Sequence, residues 1–133
     1  LNIIEETVVF AKERMGVKKL GILATKGTIS AGSYQRMCEK HSLEWAVPSL
    51  QDEQSLMNII YNQVKAGKEI NITEFLKIIG NMKADGCDAV ALGCTELSVI
   101  NKDFDLVRND IVDSLEVLAK RSIELCGKKV KVK

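Results

Sequence analysis

Proline is almost missing from this chain, with Pro48 the one example in 133 residues. Aromatic residues reach only 5%, and His41 is the single histidine. So little proline excludes collagen-like and proline-rich architectures. No apolar run approaches the roughly 20 residues that a membrane-spanning helix requires, which excludes a transmembrane segment. The N-terminus has no basic stretch leading into an apolar block, so no secretory signal is visible. Cys38, Cys87, Cys94 and Cys126 form no CxxC pair and have no histidine at ligand spacing. The common zinc patterns and a disulfide framework are thereby excluded. We expect no metal, no cofactor, and reduced thiols in a cytoplasmic protein.

A surplus of charge is lacking as well. Basic residues number 19 and acidic residues 18, a net charge of +1, beside 46% hydrophobic residues. Such a balance argues against disorder, and the length suits one domain with a sizeable core. Lys128, Lys129, Lys131 and Lys133 crowd the C-terminal end and read as a solvated tail. The remaining body holds 15 basic against 18 acidic residues, a net of −3. A slightly acidic body argues against a nucleic-acid partner. The sequence opens on Leu1 rather than Met, which suggests a fragment or a processed product.

The apolar pattern predicts strands separated by helices. Asn2 and Glu5 resemble a capping box opening a helix with Ile4, Val8, Ala11 and Met15 on one face, stopped by Gly16. Leu20–Ala24 reads as a buried strand, Ser30–Lys40 as a helix, and Leu43–Val47 as a strand ended by Pro48. Ser49 and Asp52 start a helix running to Gly67. Thr73–Asp85 is amphipathic through Phe75, Leu76, Ile79 and Met82. Ala89–Leu92 reads as a strand followed by a short helix, and Ile111–Val112 as a fourth strand. Leu115, Leu118, Ala119 and Leu125 line a last helix. This order implies a three-layer α/β/α fold with a mostly parallel sheet of about four strands. Residues 1–133 then form a single α/β domain.

In open parallel sheets, ligands bind beyond the carboxyl ends of the strands. Two such ends carry chemistry. Ala24-Thr25-Lys26-Gly27-Thr28-Ile29-Ser30 offers hydroxyls beside free helix N–H groups, a site for a carboxylate or phosphate. It matches neither GxGxxG nor GxxxxGK[ST], so no nucleotide is implied, and plain N-capping by Thr28 or Ser30 is the favoured reading of this stretch alone. At Leu92-Gly93-Cys94-Thr95-Glu96-Leu97, a thiol stands at a helix N-terminus, where the dipole is expected to lower its pKa. Gly93 would leave room for a ligand. The other three cysteines read as packing residues, and His41 as a solvated residue at a helix end.

These residues resemble the aspartate/glutamate racemase superfamily. LGCTELSVI (Leu92–Ile100) is similar to its second-cysteine motif. LGILATKGTISAGSYQ (Leu20–Gln35) is similar to the block that opens its second domain. IIYNQVKAG (Ile59–Gly67) is similar to a block with a substrate-binding lysine, here Lys65. The likeness fits aspartate racemases better than glutamate racemases, because Glu96 stands where the latter carry a histidine. It implies cofactor-independent racemisation by two cysteines on opposite faces of the substrate Cα. Cys94 would be one acid/base thiol. Thr95 and Glu96 would contact the amino acid's α-groups, Thr25 and Thr28 would lie in its carboxylate pocket, and Lys65 would pair with an acidic side chain.

The Cys-Asn-Thr motif of the first catalytic cysteine is missing, as is the histidine that often follows Asp113-Ser114. The resemblance therefore implies the second domain only, inactive alone, with helices 1–16 and 113–127 linking it to a missing N-terminal domain. We expect an acidic amino-acid substrate and a homo-oligomer, with apolar surface left on the crevice side and the terminal helices. A hydantoin racemase, a maleate isomerase-like enzyme and a non-catalytic ligand-binding module are the alternatives.

Overall fold

A computed structural model describes residues 2–106 and 110–130 of the chain. Lys131 and Lys133 of the expected tail lie outside the described residues, as do the side chains of Lys128 and Lys129. Helix α1 spans Ile3–Met15. Its Asn2 cap accepts from the N–H groups of Ile4 and Glu5 at 3.0 and 3.2 Å, and Gly16 closes it at φ 68°. The reciprocal half of the expected capping box is not made. Glu5 reaches outward instead, to Lys40 Nζ at 3.1 Å and His41 Nε2 at 3.0 Å.

Strand β1 is Lys19–Leu23, followed by α2 (Lys26–Ala31) and α3 (Ser33–Lys40). The single helix expected from Ser30 to Lys40 is thus two helices. Gly32, at φ 74°, takes a left-handed conformation that ends α2 and redirects the chain. Strand β2 is Glu44–Ala46, and α4 (Leu50–Asn58) starts at the Ser49 cap as expected. It runs into a π-helical stretch, Ile59–Val64, where the wider turn lets both Ile59 and Ile60 reach the core. Helix α5 (Ile72–Ala84), strand β3 (Ala89–Leu92), helix α6 (Thr95–Asp103), strand β4 (Ile111–Asp113) and helix α7 (Ser114–Val130) complete the chain. No helix of the described residues is long and apolar enough to cross a membrane.

The four strands lie in the order β2-β1-β3-β4, and every neighbouring pair is parallel. Alternation along the strands splits the core into two layers. Leu20, Ile22, Ala89 and Ala91 face α1, α3 and Val117 of α7. Leu23, Val90 and Leu92 face α4, the π-helical stretch, α5 and α6. Each fully buried Leu or Ile contributes about 1.5–3 kcal/mol. With both faces of the central strands committed to that burial, polar chemistry is left to the strand ends.

Helix α7 packs differently from the pattern expected. Val117 is buried, whereas Leu115 and Leu125 are each 40% exposed and Ile123 is 69% exposed. Ion pairs supply part of the packing that the apolar pattern was expected to provide. Arg121 meets Glu6 of α1 at 3.0 Å, and Arg14 meets Glu124 at 2.8 Å. Large apolar residues are exposed on α7 but not on α1.

Candidate active site

Register places three strand ends side by side: Leu23 pairs with Leu92, and Leu92 with Asp113. From β1 the chain leaves toward β2, and from β3 it leaves toward β4. The topological switch point therefore falls between β1 and β3, where α/β sheets open a crevice. Thr25 follows one of these strands and Cys94 the other, so the structure brings the two expected ends together.

Cys94 is the N-cap of α6, extended at φ −142° and ψ 157°. It is half-buried. Burial pushes its thiol above the ordinary thiol pKa. The backbone N–H groups of Leu97 and Glu96 pull it down, but the nearby Glu96 carboxylate pushes it up again. The lowering expected from the helix dipole is outweighed, because desolvation and a like charge oppose it. Glu96 also accepts a hydrogen bond from the hydroxyl of exposed Thr95 at 3.1 Å.

On the β1 side, Thr25 caps α2. Its Oγ1 accepts from the Thr28 N–H at 3.3 Å, and the two hydroxyls stand 2.9 Å apart. Both residues are half-buried, and their hydroxyls satisfy one another in this state. Lys65 closes the π-helical stretch, is exposed, and rests its ammonium 4.7 Å from the Tyr61 ring centroid. Ile59 and Ile60 of that stretch share a core with Leu97 and Ile100 of α6. Lys65 thus rides on an element that adjoins α6, while its charge is held on Tyr61.

The remaining thiols are elsewhere. Cys38 and Cys87 are buried, in opposite layers of the core. Burial pushes the Cys38 thiol up to about 11 and raises Cys87 too. Cys126 is exposed on α7, which corrects its reading as a packing residue. His41 ends α3 as expected, but it is half-buried against Glu5 rather than solvated.

The space expected above Gly93 is filled. A Cβ built there would come 3.0 Å from Tyr34 Cε2 and 3.2 Å from Ala24 Cβ. Gly93 is required by close packing rather than by ligand access. Tyr34 itself escaped the sequence reading, although Tyr34 and Cys38, one helical turn apart, mark the inner face of α3. Its hydroxyl stands 2.9 Å from Ser114 Oγ, and both residues are buried. Burial pushes the phenol up, while hydrogen bonding to Ser114 and Thr7 works against that.

Asp113, met in the sequence only as part of the Asp113-Ser114 pair, does more than open a helix. Its carboxylate accepts from Ser98 Oγ at 2.6 Å, from Asn101 Nδ2 at 2.9 Å and from the Leu115 N–H at 3.0 Å. One buried carboxylate thereby caps α7 and ties it to α6. Between these helices and β4 lies a cavity of about 530 Å³. Of the expected site residues only Thr95 lines it, so it flanks the crevice rather than occupying it.

Residues 1–121 match the sequence model of a family described as Asp/Glu/Hydantoin racemase. A glutamate racemase of Shewanella denitrificans is 26% identical over 111 residues, covering 81% of this chain and 39% of that protein. An aspartate racemase homologue from Pyrococcus horikoshii OT3 superposes with a TM-score of 0.79 at 31% identity, covering 96% of this chain and 56% of that one. Picrophilus torridus aspartate racemase superposes with a TM-score of 0.69 at 28% identity, covering 96% and 52%. The chain thus spans about half the length, or less, of these relatives.

Proposed function

The chain belongs to the Asp/Glu/hydantoin racemase family, and from that premise we propose that it supplies half of a racemase site, with Cys94 as one of two acid/base thiols. The observation that carries this reading is the position of Cys94. It stands half-buried beyond a central strand at the switch-point crevice, whereas Cys38 and Cys87 are sealed in the core and Cys126 is exposed on α7.

Inversion at Cα requires one C–H bond to break on one face and another to form on the opposite face. A thiolate takes the first proton and becomes a thiol. A second thiol gives up its proton to the far face and becomes the thiolate. Burial and Glu96 both favour the protonated form of Cys94, which suits it to the donating stroke. Thr25 and Thr28 would exchange their mutual hydrogen bond for one to the substrate α-carboxylate, beside the N–H groups that open α2. Such donors, fixed before the reaction, lower the cost of charge developing at Cα. Thr95 and Glu96 would receive the ammonium group.

Lys65 would pair with the side-chain carboxylate of an acidic amino acid. Leaving the Tyr61 ring costs about 0.5–1 kcal/mol for an exposed cation–π contact, less than a charge-assisted pair returns. Its present seat on Tyr61 favours a second reading: the same thiol chemistry on a substrate without that carboxylate, such as a hydantoin.

Ligand protection tests the proposal. Saturating aspartate should slow iodoacetamide at Cys94 and leave Cys126 unaffected, read thiol by thiol by mass spectrometry. Protection by a hydantoin alone would favour the second reading, and protection by neither would overturn both.

A further inference from the structure

Tyr34 has no part in that chemistry, yet it stands against the loop that carries the thiol. It is 2% exposed, and its ring is packed so closely on Gly93 that a Cβ there would meet Cε2 at 3.0 Å and Cζ at 3.2 Å. A ring serving only to fill the core would need no hydroxyl, because a buried phenol costs free energy unless it is hydrogen-bonded. Here the hydroxyl is 2.9 Å from Ser114 Oγ, and Ser114 is itself only 3% exposed. The adjacent Asp113 holds Ser98, in the first turns of α6, at 2.6 Å. The Gly93-Cys94 corner is therefore held on one side by the Tyr34 ring and on the other by the Ser98–Asp113 bond. Both restraints converge on Asp113-Ser114.

The geometry points to Tyr34 as a positioning residue for Cys94: its ring, locked by the Ser114 hydrogen bond, fixes the Gly93-Cys94 corner and keeps water from the buried side of the thiol. The inference rests on the reading of Cys94 as an acid/base thiol, and it names a residue outside the substrate contacts that sets that thiol's state.

The test is the pH–rate profile of Cys94 alkylation in the chain as it stands. Tyr34→Phe keeps the ring and removes the tie. A loosened corner admits water, which favours the thiolate and shifts the Cys94 profile toward lower pH. A shift of about one unit makes tenfold more thiolate, but its lower basicity makes it less nucleophilic, so the net gain at pH 7 is roughly threefold. Ser114→Ala should shift the profile the same way but no further than Tyr34→Phe, because it leaves the Thr7 contact to the hydroxyl in place. The double variant should shift no further than Tyr34→Phe alone, because that change already breaks the bond that Ser114→Ala removes. Cys38 and Cys87 should stay protected throughout. An unchanged Cys94 profile in Tyr34→Phe would overturn the inference, as would additive shifts. A parallel acceleration at Cys38 and Cys87 would also overturn it, since that marks general loosening. Alkylation needs no turnover, so ligand protection can fail while this shift stands, and the reverse.

Discussion

Glu96 and Cys94 show how neighbouring charges can reverse a rule of thumb at the scale of single residues. A helix N-terminus favours a thiolate, but a partly desolvated sulfur beside a carboxylate does not. Glu96→Gln removes the negative charge and leaves the backbone N–H groups in place. The Cys94 thiol should then titrate lower and alkylate several-fold faster at pH 7, an outcome that thiol-resolved alkylation rates would check. Cys38 offers a stability counterpart. Its thiol is raised from the ordinary 9.0 to about 11 and is fully buried. Because the folded value exceeds the unfolded one, the stability gained by holding the neutral thiol is complete below about pH 9. It drains as pH climbs toward 11, by about 2–3 kcal/mol in all. Urea titrations of Cys38→Ala should show a shallower alkaline decline than the parent, whatever their stability at pH 7.

Among the elements, the junction of β4 with α7 carries the most polar burden. Asp113 is 9% exposed and accepts hydrogen bonds from two α6 side chains and from the α7 backbone. Asp113→Ala leaves those donors unsatisfied and uncaps α7, at a combined cost of about 2–4 kcal/mol. A urea midpoint close to that of the parent would show that the carboxylate bears no such load. The same junction shows where sequence reading runs out. Strands β1 and β3 were legible because their apolar runs are buried on both faces. Helix α5 was legible from Phe75, Ile79 and Met82, and Gly16 and Ser49 act at helix ends as expected. Helix α7 was misread because Arg121 and Glu124 supply ion-paired packing that an apolar pattern does not register. The break at Gly32 was missed because one glycine inside a helical pattern gives no sign of which φ it will take.

Viewed whole, the molecule places both expected loops at one switch point, as the βαβ order implies. The placement of Cys94, Thr25 and Thr28 at one end of the sheet was legible because strand ends are where parallel sheets expose polar groups. Tyr34 and Asp113 were not, since their importance lies in partners distant in sequence: Tyr34 bonds Ser114, and Asp113 bonds Ser98. Val99 and Leu115, exposed apolar residues, line the cavity that flanks the crevice. If Cys94 is one of two acid/base thiols, this chain alone does not invert Cα. Chiral chromatography of L-aspartate incubated with this chain tests that claim most directly. No D-aspartate above the protein-free control is expected. D-aspartate formed by the chain and abolished by Cys94→Ser would contradict it.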